Sequence, residues 1–185
     1  MLELIPENDP RLLQATEPFD FEKGYDGMMA EDLYMQMREL MCASRGIGLA
    51  APQVGLMTRM FVMGDPNQPD LVISVFNPKI VDVGEEEVFI EEGCLSSPGL
   101  FIKIKRPQVI RVRYTNFFGV TDTVQFSGMT ARIFQHEIDH LEGTLFTSRA
   151  NYLNLEIAKK QRIRLNAERK KNMKRLAQKE LGRFG

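Results

Sequence analysis

Residues 135–140 read QHEIDH and hold both histidines of the chain. Four residues separate them, and residues i and i+4 of an α-helix stack on one face, so His136 and His140 can grip a single ion. A glutamate directly after the first histidine then reaches a water polarised by that ion. This is the mechanical sense of a His-Glu-x-x-His pattern, with Glu137 as general base. The competing reading is two structural histidines that share a helix, and a third ligand decides between them.

The helix around this stretch is expected from about 129 to 142, with Ser127 as N-cap and Gly143 as the C-terminal stop. Phe134, Ile138 and Leu141 make one apolar stripe for a core. Met129 and Ile133 make a second stripe that continues into His136 and His140. A helix apolar on two sides is expected at the centre of the molecule, with a greasy pocket beside the histidines or a second packing layer there. Upstream, residues 26–45 read as a helix, because Met29, Leu33, Met37, Leu40 and Met41 recur near the 3.6 period. Between the two helices lie β-rich runs: RMFVMG, LVISVFNP and KIVDVGEEEVFIEEG. The stretch VIRVRYTNFFGVTDTVQFSG then alternates around a Gly-containing turn, as a hairpin does. A long helix is expected over 154–181. The fold class is α+β: antiparallel β-sheets packed around a central metal-binding helix, with an N-terminal helix and a long basic C-terminal helix.

With only two histidines in the chain, the third ligand must be another residue type. Glu156 and Glu168 are downstream carboxylates, but both fall in the basic terminal segment. Cys94 lies in EEGCLSSPG, where turn formers interrupt a strand-like stretch and can bring a thiolate up to a helix. Taken alone it reads as a buried free cysteine. Joined to the histidines it makes a set of one sulfur and two imidazoles that leaves a fourth position open. The segment GIGLAAPQVG, 46–55, lacks the ending of a phosphate loop. Its glycines and alanines instead keep a wall low beside Gln53, whose amide can donate to an oxyanion.

At 185 residues the chain suits one domain, with a core large enough to need no staple, so a metal would serve chemistry. We expect 1–150 to be a catalytic metallohydrolase region and 151–185 a basic helical extension of the same domain. No secretory pattern or membrane-length apolar run is present, which points to a cytoplasmic protein with reduced Cys42 and Cys94. The net charge of −1 hides an asymmetry: residues 150–185 carry +8 and residues 1–149 carry −9. Such a tail suits a polyanion such as ribosomal RNA, or is a solvated helix.

Three segments, GIGLAAPQ (46–53), EGCLS (92–96) and QHEIDHL (135–141), stand in the order that marks peptide deformylases, and the chain resembles that family over about residues 1–148. The resemblance implies removal of the formyl group from the initiator formyl-methionine of nascent polypeptides, with release of formate. It implies one divalent ion on Cys94, His136 and His140, with Fe2+ as the native metal and Zn2+, Ni2+ or Co2+ able to occupy the site. It further implies Glu137 as acid/base, Gln53 and the Leu95 N–H on the carbonyl oxygen, and Gly48 pairing its backbone with the peptide. Ile90, Met129 and Ile133 are the candidates for a methionine slot. Where some relatives carry an arginine after EGCLS, this chain has Gly99, Leu100 and Phe101, so selectivity beyond the first residue is expected to differ. Docking on the ribosome through the terminal helix, with Arg169, Lys170, Lys171, Lys174 and Arg175 as the main cluster, is the expected partner interaction.

Overall fold

The structure, a computed structural model, describes residues 2–181. Five strands form one antiparallel sheet. These are β1 (Gly48–Ala50), β2 (Met60–Met63), β3 (Ile73–Val83), β6 (Val109–Thr115) and β7 (Thr121–Ser127), in the order β1-β2-β3-β6-β7. Between β3 and β6 the chain leaves the sheet as a separate two-stranded ribbon, β4 (Glu87–Cys94) and β5 (Ser97–Pro107). The helices are α1 (Ala30–Ala43), α2 (Gly128–Leu141) and α3 (Tyr152–Leu181).

Alternation along β2 and β3 sends their side chains to two different cores. Met60, Val62 and Phe76 pack with Leu33, Met37 and Met41 of α1, whereas Phe61 and Val75 pack with Ala131, Phe134, Ile138 and Leu141 of α2. The sheet therefore lies between α1 and α2. The inward face of the ribbon, through Glu92 and Arg106, bonds the other side of α2. Only the first of the two expected stripes is buried against the sheet; the ribbon meets α2 through polar groups, and Met129 of the second stripe is 52% exposed. The core-facing side chains of α2, Ala131, Phe134, Ile138 and Leu141, are all buried, and removing one as large as Phe134 from water is worth about 2–3 kcal/mol.

Several boundaries differ from the sequence-based expectation. Helix α1 starts at Ala30 rather than near residue 26, because Asp26 and Gly27 hold positive φ in a turn that no helix can include. Met29 is left largely exposed and Leu40 partly buried. Strand β3 runs straight through Asn77-Pro78, where two separate runs were expected. Asn77 takes a positive φ of 48° at a register shift, and its amide exchanges hydrogen bonds with Phe19, N–H to Oδ1 at 2.8 Å and Nδ2 to the carbonyl at 3.0 Å. Strand β5 was not anticipated, although Leu100, Ile102, Ile104 and Arg106 alternate as its buried face. Ser127 does occupy the N-cap of α2, but its side chain makes no cap bond. Gly143, with φ +66°, ends that helix as expected. Helix α3 begins two residues before the expected 154, and residues 182–185 of the tail lie outside the described residues. Among the described residues no helix is long and apolar enough to cross a membrane.

Candidate active site

The β4–β5 turn brings Cys94 to α2. The two strands pair in register up to Gly93–Phe101, then shift so that Cys94 lies opposite Ser97, and this irregularity turns the sulfur toward the helix. Cys94 Sγ lies 3.2 Å from His140 Nε2. The ligand atoms of Cys94, His136 and His140 all fall within 4.8 Å of one another, a spread that one ion can bridge. Both cysteines are free. Glu156 and Glu168 are not brought near: they pair with Lys159 and Arg164 along α3.

Around the imidazoles is a buried ionic network. His136 Nδ1 lies 2.9 Å from Glu92 Oε2, which orients the ring with Nε2 toward Cys94. Arg106 clamps Glu92 through two nitrogens, Nε and Nη2 at 2.7 and 2.9 Å, and reaches Asp139 Oδ2 at 2.7 Å with Nη1. Arg132 adds a bond to Glu92 Oε1 at 2.9 Å. Arg149, from the turn before α3, closes the chain on Asp139 Oδ1 at 2.7 Å. Burial would raise the Glu92 carboxyl, but the bonds from His136 and Arg106 outweigh it and hold it down to about 2. His136 is likewise disfavoured as a cation by burial. The Cys94 and Glu92 side chains overcome this and push it up to about 10. For His140 burial, with the charges of His136 and Arg106 nearby, drives the pKa down to about 3.

Glu137 projects from α2 into the same space, and burial raises its carboxyl to about 7. Among the described residues its Oε2 has no hydrogen-bond partner, nor does His140 Nδ1. Facing it is Gly48 at the start of β1, where an added Cβ would strike the Glu137 carboxylate and stand 3.0 Å from Ile133 Cγ2. Glycine is required there by space rather than by backbone conformation. Gln53 is fixed by its own Oε1, which accepts the Ala50 N–H at 2.8 Å and so turns Nε2 toward Ser96 Oγ at 3.1 Å and Cys94 Sγ at 3.4 Å. Among the described residues no backbone carbonyl accepts the Leu95 N–H.

A cleft of about 710 Å³ opens onto this centre, lined among others by Gly48, Gln53, Cys94, Leu95, His136 and Glu137. Met129 and Ile133 line it too, at the expected place beside the histidines. Ile90 does not. It faces the same side of β4 as Glu92 and Cys94, but each strand residue adds about 3.3 Å, so it stands well back, opposite Ile104. Sequence reasoning assigned no role to Glu92, Arg106, Arg132 or Asp139. The available signal for Glu92 was its spacing, two residues before Cys94 and hence on the same strand face.

One soft sulfur, two imidazoles and an unpartnered buried carboxylate at the end of a cleft define a metal-binding hydrolase. Comparison with known proteins gives the family. The model of the polypeptide deformylase family matches residues 1–156. A peptide deformylase of Thermotoga petrophila is 46% identical over 141 residues, 76% of this chain and 82% of that one. A plant peptide deformylase structure superposes with a TM-score of 0.79 at 32% identity, over 92% of each chain. A peptide deformylase of Acinetobacter baumannii, solved with Met-Ala-Ser bound, gives a TM-score of 0.73 at 30% identity over 80% of this chain and 98% of that one. The chain belongs to the polypeptide deformylase family, whose members remove the N-formyl group from nascent polypeptides.

Proposed function

We propose that Cys94, His136 and His140 hold one divalent ion, Fe2+ in the native protein, and that Glu137 is the acid/base in hydrolysis of the formyl-methionine amide. The reading rests on one observation above all: three ligand atoms within 4.8 Å of one another beside a buried, unpartnered carboxylate. The donor set fits such an ion, since His136 is oriented from behind by Glu92 and both Nε2 atoms are free of other protein partners except the sulfur. A bound divalent ion would supply Lewis-acid chemistry, lowering the pKa of a water and polarising the formyl carbonyl.

The rest is the work of side chains and backbone. Glu137 takes the proton of the attacking water and delivers it to the leaving methionine nitrogen. Gln53 Nε2 and the Leu95 N–H donate to the oxygen that gains charge at the formyl carbon. The free edge of β1 at Gly48 receives the peptide backbone as an added strand, and Met129 and Ile133 flank the methionine side chain. In the Acinetobacter relative the bound tripeptide Met-Ala-Ser has the sequence of a deformylated start, which agrees with this assignment. The test is formate release from formyl-Met-Ala-Ser. Turnover with metal present supports the reading, and none at any metal content rejects it.

Residues 1–150 form the catalytic part and 151–185 a helical extension of one domain. In support, Ala158 packs with Ile102, Ile104 and Phe146, and Arg162 binds Glu7 through two bonds of 2.8 and 2.6 Å. Beyond that contact α3 exposes Arg169, Lys170, Lys171, Lys174 and Arg175, a basic face suited to ribosomal RNA in the cytoplasm.

A further inference from the structure

The side of the sheet that carries α1 is covered over only part of its width. Helix α1 packs with β1 and β2, whereas the β6–β7 half of that side is open. Ile110, Val112, Val124 and Phe126 point to the α2 core. The residues that alternate with them, Arg111, Arg113, Thr123 and Gln125, therefore point the other way, and all four are exposed. The register sets Arg111 beside Gln125 and Arg113 between Thr123 and Lys79. Thr115 and Thr121 follow, their hydroxyls 2.8 Å apart. Among the described residues Lys79, Arg111 and Arg113 form no ion pair. The acid in register with this group, Asp82 opposite Arg111, places its Oδ1 on the Val83 N–H at 3.0 Å. Within a region that is net acidic, one open sheet face thus bears three cations among hydroxyls and an amide.

At the tip of the β6–β7 hairpin the same face ends in a stack of rings. Phe118 is 76% exposed, and its ring centroid lies 3.9 Å from that of Phe117. Phe117 stacks on Tyr34 of α1 at 4.6 Å and 10°. Tyr34 is anchored in turn: its hydroxyl donates to the Val72 carbonyl at 2.7 Å, and the Arg38 guanidinium lies 5.4 Å from its ring centroid. Tyr34 and Phe117 belong to the core on the α1 side, so the stack stands on the same side of the sheet as the cations. Phe118 is an aromatic surface held from behind and open in front, and a planar partner that stacks on it need order little else.

We propose that this face binds single-stranded RNA. Alternate residues of a strand stand about 6.8 Å apart, so Arg111 and Arg113, with Lys79 beside them, make a positive track for a phosphate backbone. Thr121, Thr123 and Gln125 offer hydrogen bonds to sugar hydroxyls and base edges, and Phe118 stacks a base at the end of the track. Charge alone would accept any polyanion. The exposed ring selects a strand whose bases are free to stack, because the bases of a duplex are already stacked on one another. The face lies across the sheet from α2 and its histidines, so RNA and a formyl peptide can be held at once.

The test is the fluorescence anisotropy of a labelled oligouridylate of about ten nucleotides with the full chain at low salt. Phe118→Ala should weaken binding by about five- to thirtyfold, and Phe118→Tyr should keep it. Arg111→Ala combined with Arg113→Ala should also weaken it, and should lower the slope of log affinity against log salt by about 1.4. Duplex RNA of the same length should bind less tightly and be indifferent to Phe118→Ala. Formate release should be unchanged in every variant. A wild type that does not bind the strand overturns the inference. Loss in the arginine variant with none in Phe118→Ala shows attraction by charge alone and overturns it too. Loss confined to Lys170→Ala with Lys171→Ala assigns the RNA to α3 and has the same consequence.

Discussion

Glu137 and Glu92 are two buried carboxylates near His136, and their surroundings give them different work. Glu92 is bonded by His136, Arg106 and Arg132 and stays ionised. Glu137 leaves one oxygen without a partner, and burial holds its carboxyl high. Replacing Glu137 by Gln should leave the metal bound and cut kcat by about 10²- to 10⁴-fold, since a general base is lost and no ligand is. Metal lost in parallel with turnover, read by elemental analysis, would make Glu137 a ligand instead. Glu92→Gln should act the other way round. Metal affinity should fall by about 10- to 100-fold, measured by competition with a chelator, because the His136 ring exchanges a charged acceptor for a weaker neutral amide. Unchanged affinity would remove Glu92 from that role. The cluster of Cys94, His136 and His140 could be anticipated from residue type and spacing, whereas the roles expected of Leu95 and Gly48 came only from the family resemblance. The carboxylate and guanidinium groups behind the cluster could not: Arg106 is 29 residues from the Gln135 carbonyl and 33 from Asp139, and only the folded ribbon brings them together.

At the level of elements, the sheet-facing stripe of α2 could be read from Phe134, Ile138 and Leu141, whereas the second stripe, Met129 and Ile133, lines the open cleft rather than a second buried layer. The C-terminus of α2 depends on Gly143, which combines a φ of +66° with backbone neighbours at Leu13 and Gln14 that an added Cβ would meet at 2.7 Å. Gly143→Ala should cost about 2 kcal/mol, from left-handed strain plus the clash. In a chain of this size that lowers Tm by about 4–8 °C in a calorimetric scan. A shift below one degree would mean that the turn relaxes freely. Strand β5 escaped sequence reading for the opposite reason. Its SPG start looks like a loop, and its Lys103 and Lys105, exposed between buried isoleucines, resemble solvated surface until the partner strand is known. Strand β3 runs on through Pro78, a residue type that breaks most strands. Here a bulge at Asn77 absorbs it, and Asn is the residue type that tolerates that φ while bonding Phe19.

Across the whole molecule, charge and chemistry are kept apart. Residues 1–149 are net acidic, while the segment from 150 onward is strongly basic and joins them through Ala158 and the Arg162–Glu7 pair. Deleting residues 166–185 should spare hydrolysis of a free formyl-methionyl peptide and weaken co-sedimentation with ribosomes at low salt. Undiminished binding would leave α3 as a solvated helix. We propose that one ion, held by Cys94, His136 and His140, makes this cleft a deformylase. The most direct measurement is formate release by chelator-treated protein as ferrous ion is added back without oxygen. Release should rise in proportion to added metal and level off at one equivalent per chain in the wild type, with no rise in Cys94→Ala. Formate release without metal, or an undiminished response in Cys94→Ala, would contradict it.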